Sequence, residues 1–370
     1  MIDRRMMPGF SGHDHTRGHQ VSVIELDGVF AVVSVDTRRG SLWTCPLGGG
    51  GGGCVECPLE LDAAGPEAEW YYEEGIWDED EDEIDEDERP WYQADLYEIA
   101  FCLTAANLDG RPVVVTGGGR GDLSFPEGSD REGGAVRVWD VRTGRKVGKT
   151  LTGHVLGVDS LTTLSCDQGL LAVSSCEEGT LLAWNLTRGG EPVAAITGGY
   201  TGGYDGSMGA GLVNGRPVAV TGEYGPFLQA WDLLSGEQIG GALPGIERRA
   251  NAIALTEVAG RAVVVAGGEG RVLHRWDLAS QEPIGSPIAR HPDRIMDLEV
   301  ATVAGRAVAV TGSSDDTVRV WDLERGTQIG APLTDHRLQT VTEMAGFPVA
   351  VTTSSDGTVR VWNLTAATGE

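Results

Sequence analysis

Apolar residues along this chain fall in short, β-branched runs broken by polar turns, with no long helical period. In Thr311–Leu323, TGSSDDTVRVWDL, one β-rich run passes through a tight polar turn into a second that ends on a Trp-Asp pair. The phrase returns at Thr353–Leu364 as TSSDGTVRVWNL, and looser copies end at Trp139, Trp184, Trp231 and Trp276. The anchors Trp139, Trp184, Trp231, Trp276, Trp321 and Trp362 are 45, 47, 45, 45 and 41 residues apart. A second phrase recurs out of phase with them, at Asp109-Gly-Arg-Pro, Asn214-Gly-Arg-Pro, Ala259-Gly-Arg-Ala and Ala304-Gly-Arg-Ala. A third is Gln238-Ile-Gly, Pro283-Ile-Gly and Gln328-Ile-Gly. The pattern predicts units of about four short strands joined by Gly, Asp and Pro turns.

Trp-Asp or Trp-Asn pairs at this spacing, together with Gly153-His154, resemble the WD-repeat family of β-propellers, and the resemblance covers nearly the whole chain. It implies an all-β, seven-bladed propeller of four-stranded antiparallel blades. In each blade, strand a lines the central channel and strand d lies outermost. The last unit stops after strand c, at Trp362-Asn-Leu, so an N-terminal strand, Arg4–Phe10, is expected to complete the last blade and close the ring. Val21–Glu25 and Val29–Val35 then read as strands a and b of blade 1, and Cys54–Leu61 as its outer strand. Aligning Gly40–Leu47 with Gly357–Leu364 puts Cys45, not Trp43, at the anchor position. The expectation is one domain over residues 1–370, with insertions at 62–95 and 119–134.

The resemblance also implies a hydrogen-bonded set in each blade: a His before strand a, a Ser or Thr on strand b, an Asp in the b–c turn and the Trp of strand c. Blade 6 offers His291, Thr311 or Ser313, Asp315 and Trp321; blade 7 offers His336, Thr352 or Ser354, Asp356 and Trp362. Blade 3 has His154 and Trp184, with Glu177 and Glu178 in place of the Asp, while blades 2, 4 and 5 lack the His. These residues, with Trp139, Trp231 and Trp276, are read as structural, because buried polar groups persist only when paired.

Charge narrows the function. A formal net charge of −27 argues against a partner held through duplex phosphates. No apolar run approaches the roughly 20 residues that span a bilayer, and MIDRRMMPGFSGHDH lacks an apolar signal core, so a cytoplasmic protein is expected. The six cysteines are then expected to stay reduced. Cys54-Val-Glu-Cys57 has zinc-ligand spacing but no second such pair, so neither metal nor cofactor is expected. The six-glycine run Gly48–Gly53 is a connector and not a phosphate cradle, since no Lys-Ser or Lys-Thr follows it.

In the implied propeller, the d–a and b–c loops share one rim, the top. The insertion at 62–95 emerges there, carrying the acidic runs Asp78–Glu83 and Asp85–Glu88 among Trp70, Tyr71, Tyr72, Trp77 and Trp91. Arg248, Arg249, Arg294 and Arg337 start strand a of blades 5, 6 and 7 on the same rim. This combination reads as a monomeric, non-catalytic protein–protein interaction scaffold. Its partner is either an anionic protein on the Arg arc or a basic one on the acidic, aromatic insertion. The alternative is an enzyme acting on a small molecule, with acid/base carboxylates from Glu177, Glu223 and Glu269 across the channel mouth. The chain has no G-x-S-x-G, H-E-x-x-H or Walker sequence to support it.

Overall fold

The computed structural model describes residues 2–4, 21–36, 41–47, 55–58, 97–121, 133–176, 178–190, 192–197, 207–222, 227–246, 248–288, 290–354 and 359–367. They form seven small antiparallel sheets, in keeping with a seven-bladed propeller, and one short helix. The N-terminal β1 (Ile2–Arg4) belongs to the last of them. Sheet 1 holds β2 (Val21–Leu26), β3 (Val29–Asp36), β4 (Ser41–Pro46) and β5 (Val55–Pro58). Sheet 2 holds β6 (Tyr97–Leu108), β7 (Arg111–Gly121), β8 (Ala135–Asp140) and β9 (Leu151–Thr152). Sheet 3 holds β10 (Val158–Cys166), β11 (Gly169–Cys176), β12 (Leu181–Asn185) and β13 (Pro192–Ile196). Sheet 4 holds β14 (Met208–Val213), β15 (Arg216–Gly222) and β16 (Leu228–Asp232), and sheet 5 holds β17 (Ala250–Val258), β18 (Arg261–Gly268) and β19 (His274–Asp277). Sheet 6 holds β20 (Ile295–Val303), β21 (Arg306–Ser313), β22 (Thr317–Asp322) and β23 (Thr327–Thr334). Sheet 7 holds β24 (His336–Met344), β25 (Phe347–Ser354) and β26 (Val359–Asn363), with β1 at its edge and α1 (Leu364–Ala367) following.

Turn chemistry sets the first hairpin of each sheet. Six of these hairpins turn on two residues, from Asp27-Gly28 to Ala345-Gly346, with φ of 48–52° at the first and 74–84° at the second. Two successive positive φ angles make a type I′ turn, whose twist matches that of the strands it joins. Asn or Asp fits its first position well, but Ala259, Ala304 and Ala345 also occupy it.

Packing runs from sheet to sheet. Trp139 fills the layer between sheets 1 and 2 with Val33, Leu42 and Val114. Trp184 does so between sheets 2 and 3, and Trp231, Trp276 and Trp321 repeat it one sheet further on each time. Each of these indoles therefore packs against the preceding sheet. In sheet 1, Cys45 pairs with Val32 as Trp321 pairs with Ala309, which confirms the alignment. Cys45 packs with Val21 and Val32 against Val349, Val351 and Val361 of sheet 7.

The Asp after each Trp makes the next turn. Asp140 Oδ1 accepts the N–H groups of Arg142 and Thr143 at 2.9 and 3.0 Å, and Asp232, Asp277 and Asp322 repeat the arrangement. The second oxygen faces an Arg at the start of the second strand, Arg111 for Asp140 and Arg216 for Asp232. Arg261 and Arg306 hold the same register in sheets 5 and 6. The two sheets with Asn instead have no Arg there: Gly169 stands in sheet 3 and Phe347 in sheet 7. Asn185 uses its spare amide to donate to the Gln168 carbonyl at 2.8 Å.

Four sequence expectations need correction. The strand added to sheet 7 is Ile2–Arg4, paired Ile2 to Val361 and Arg4 to Val359, not Arg4–Phe10. Pro8, inside the expected run, has no backbone donor for a ladder. The outer strand of sheet 1 is described over Val55–Pro58, within the expected Cys54–Leu61, whose other residues lie outside the described ones. Strand β7 reaches Gly121, so it takes in the first three residues of the expected insertion at 119–134. Sheets 4 and 5 have three strands, not four. Their outer segments touch the third strand only through isolated bridges, Trp231 to Gln238 and Leu228 to Leu243, then Trp276 to Pro283 and Leu273 to Ile288. Gly240 and Gly285, at φ of 67° and 64°, bulge the chain between the bridges. Lastly, Cys45 is disulfide-bonded, while Cys102, Cys166 and Cys176 are free, so the six thiols are not all reduced. Cys45 lies on β4, which pairs along its length with β5. The insertion at 62–95, with Trp70, Tyr71, Tyr72, Trp77 and Trp91, lies outside the described residues, as does Asp356.

Candidate functional site

Buried polar chains tie the sheets before any surface chemistry begins. In sheet 6 the Trp321 indole donates to Thr311 Oγ1 at 2.8 Å, and His291 Nε2 meets the same hydroxyl at 2.7 Å. His291 Nδ1 lies 3.4 Å from Asp315 Oδ2, and Asp315 also accepts from Thr317 Oγ1 at 2.6 Å. The hub is thus Thr311; Ser313 Oγ instead accepts the Asp315 N–H. Burial pushes the His291 ring toward its neutral form, and the Asp315 carboxylate only partly offsets this. Burial also opposes the Asp315 charge, but hydrogen bonds from Thr317 and the imidazole outweigh it and hold the carboxyl below its usual range.

The other sheets keep parts of this set. In sheet 7, Trp362 donates to Thr352 Oγ1 at 2.8 Å and His336 Nδ1 lies 3.2 Å from that hydroxyl. Arg360 donates to His336 Nε2 at 2.7 Å, so the ring is turned relative to His291. In sheet 3, Ser174 is the hub for Trp184 and His154 at 2.8 and 2.7 Å. His154 Nδ1 has no partner among the described residues, and burial alone pushes the ring pKa down to about 4. Trp139 and Trp231 keep only the bond to Thr116 and Thr221. Sheet 5 has Ala266 at the hub register, and the Trp276 indole reaches the Pro244 carbonyl instead, at 2.7 Å.

Four backbone hydrogen bonds link neighbouring loops from sheet 5 to sheet 7. The Glu269 N–H donates to the Arg249 carbonyl, His291 to Arg271, Ser314 to Arg294 and His336 to Asp316, at 2.9–3.2 Å. This ladder joins the starts of β17, β20 and β24 to the turns after β18 and β21, placing Arg248, Arg249, Arg294 and Arg337 along one edge. Arg271 and Arg290 join them with no signal in the repeat phrases. Arg271 owes its place to a turn at φ 65° and donates to the Pro292 carbonyl at 2.8 Å.

The arc is not purely basic. Arg337 Nε is 3.1 Å from Asp316 Oδ1, and Arg271 is 4.0 Å from Asp293. Arg248, Arg290 and Arg294 are exposed and form no ion pair among the described residues. Of the three carboxylates named for acid/base work, only Glu269 is described, in the turn after β18; Glu177 and Glu223 lie outside. No group of three or more His, Cys, Asp or Glu side chains among the described residues could hold a metal ion, and no helix is long and apolar enough to cross a membrane.

Comparison with known proteins supports the fold. Residues 288–322 and 331–363 match the WD40 family, "WD domain, G-beta repeat". No curated protein matches the chain. Among solved structures, the crystal structure of the computationally designed Ika8 protein is similar at 15% identity and a TM-score of 0.55, covering 94% of this chain and 98% of that one. With WD40 repeats at 288–363 and a frame of small antiparallel sheets, the chain fits the WD-repeat β-propeller family.

Proposed function

We propose that the protein is a cytoplasmic, monomeric, non-catalytic scaffold that binds a protein partner on the rim carrying Arg248, Arg290 and Arg294. The observation that supports this reading is the backbone ladder from Arg249 to His336, which runs beside the exposed Arg248, Arg290 and Arg294 in a chain whose net charge is −27. Such an edge attracts a carboxylate-rich segment, with Asp293 and Asp316 limiting which spacing fits. The acidic insertion at 62–95 competes for the same groups. Ring closure by β1 on β26 is part of the proposal, supported by the apolar cluster shared by sheets 7 and 1. A closed ring would hold the rim rigid.

The test is fluorescence anisotropy with a labelled oligo-glutamate peptide, on the full chain and on a form lacking 62–95. Binding should tighten without the insertion and weaken as salt rises past the point where the Debye length is about 10 Å. Arg248→Glu with Arg294→Glu should abolish it. Equal affinity in that double variant defeats the proposal.

A further inference from the structure

The chain has six cysteines, of which Cys102, Cys166 and Cys176 are free while Cys45 is disulfide-bonded. Within one chain, its partner is therefore Cys54 or Cys57. The register of β4 on β5 separates them: Ser41 pairs with Pro58, Leu42 with Cys57, Trp43 with Glu56 and Thr44 with Val55. Cys57 is thus displaced three residues along the ladder from Cys45. At ~3.4 Å per residue that is about 10 Å, beyond the roughly 4.4–6.8 Å between Cα atoms that a disulfide spans. Carried one step beyond the described pairs, the same register would bring position 54 opposite Cys45.

We propose that Cys45 and Cys54 form the disulfide, that it closes a loop over Pro46-Leu47 and the six glycines, and that Cys57 remains a thiol. Glycine has the most backbone freedom to lose, so a run of six resists ordering more than any other connector of that length. The bond removes much of that freedom from the open chain and clamps β5 to β4. β5 is also the last described strand before β6, so the clamp sits at the root of the acidic insertion.

The clamp is set by oxidation with a small disulfide such as oxidised glutathione. The Cys54 thiolate attacks one sulfur of that disulfide and expels a thiolate. The Cys45 thiolate then attacks the Cys54 sulfur of the mixed disulfide and expels the second. The two cysteines give up two electrons and two protons, and two glutathione thiols are formed.

The sequence allows a direct test. Cleavage after glutamate separates Leu26–Glu56, which holds both Cys45 and Cys54, from Cys57–Glu60. The full-length protein is incubated with oxidised glutathione, free thiols are alkylated, and the digest is weighed without reduction. The expected result is an unlabelled Leu26–Glu56 lighter by the two hydrogens of the bond, with the label on Cys57–Glu60. A cross-link between the two peptides, or label on Cys45 and Cys54, overturns the assignment. Hydrogen exchange over 55–58 tests the clamp separately. It should speed up on reduction and in Cys54→Ser, but not in Cys57→Ser; unchanged exchange on reduction overturns the clamp.

Discussion

Thr311 is one hydroxyl on which two buried groups depend, and removing it measures what the His adds to a sheet. Thr311→Val keeps the shape and deletes the oxygen. The Trp321 indole N–H and the His291 ring nitrogen, bonded at 2.8 and 2.7 Å, then face an apolar methyl. Both residues are almost fully buried, at 4% and 1% exposure, so water cannot replace the lost partner. Each orphaned group costs about 1–3 kcal/mol, which puts the loss near 2–6 kcal/mol. Thr221 occupies the same register in sheet 4 but serves only Trp231. Thr221→Val should therefore cost about 1–3 kcal/mol, roughly half as much. The assay is urea denaturation of both variants beside the parent chain, followed by tryptophan fluorescence. Equal losses would refute the reasoning, because the His would then contribute nothing through the shared hydroxyl.

Two further predictions concern stability. His154, with burial pushing its pKa down to about 4, refuses a proton that the unfolded chain accepts near 6.5. Its contribution is full above pH 6.5 and is lost as pH falls toward 4, by about 3 kcal/mol at ~1.36 kcal/mol per unit. The pH dependence of the urea midpoint should flatten in His154→Gln, and an unchanged slope would argue against the assignment. Ala259→Asn and Ala304→Asn should each raise stability by up to about 1 kcal/mol, since Asn tolerates the left-handed conformation better than Ala. Thermal melting reads this, and a lowered midpoint for either variant would contradict the type I′ assignment.

The sheets were legible in the sequence because their packing is repetitive. Each indole must cross a layer between neighbours, so Trp139 to Trp362 recur at nearly constant spacing, and the flanking phrase located Cys45 even without an indole. The outer strands were harder to read. Whether Gln238–Leu243 forms a ladder or two bridges depends on the φ of Gly240, which composition does not encode. The rim was legible only in part. Arg248, Arg249, Arg294 and Arg337 follow from counting strands, but the Asp316 facing Arg337 comes from a different sheet. The disulfide was missed for the same reason: Cys54-Val-Glu-Cys57 reads as metal spacing until the strand register brings Cys45 into view.

The matching of Arg216 to Asp232, of Arg111 to Asp140, and of Asn185 to a position without Arg has a consequence for how such a chain can grow. Each of these sheets settles the charge of its turn with its own residues. A segment carrying one sheet can therefore be duplicated, deleted or moved along the chain without stranding the ion of this turn, whereas the pairs Arg337–Asp316 and Arg142–Asp27 join neighbouring sheets. At this turn the repeats are interchangeable electrostatically even where their sequences have drifted, which favours change in the number of sheets by whole units.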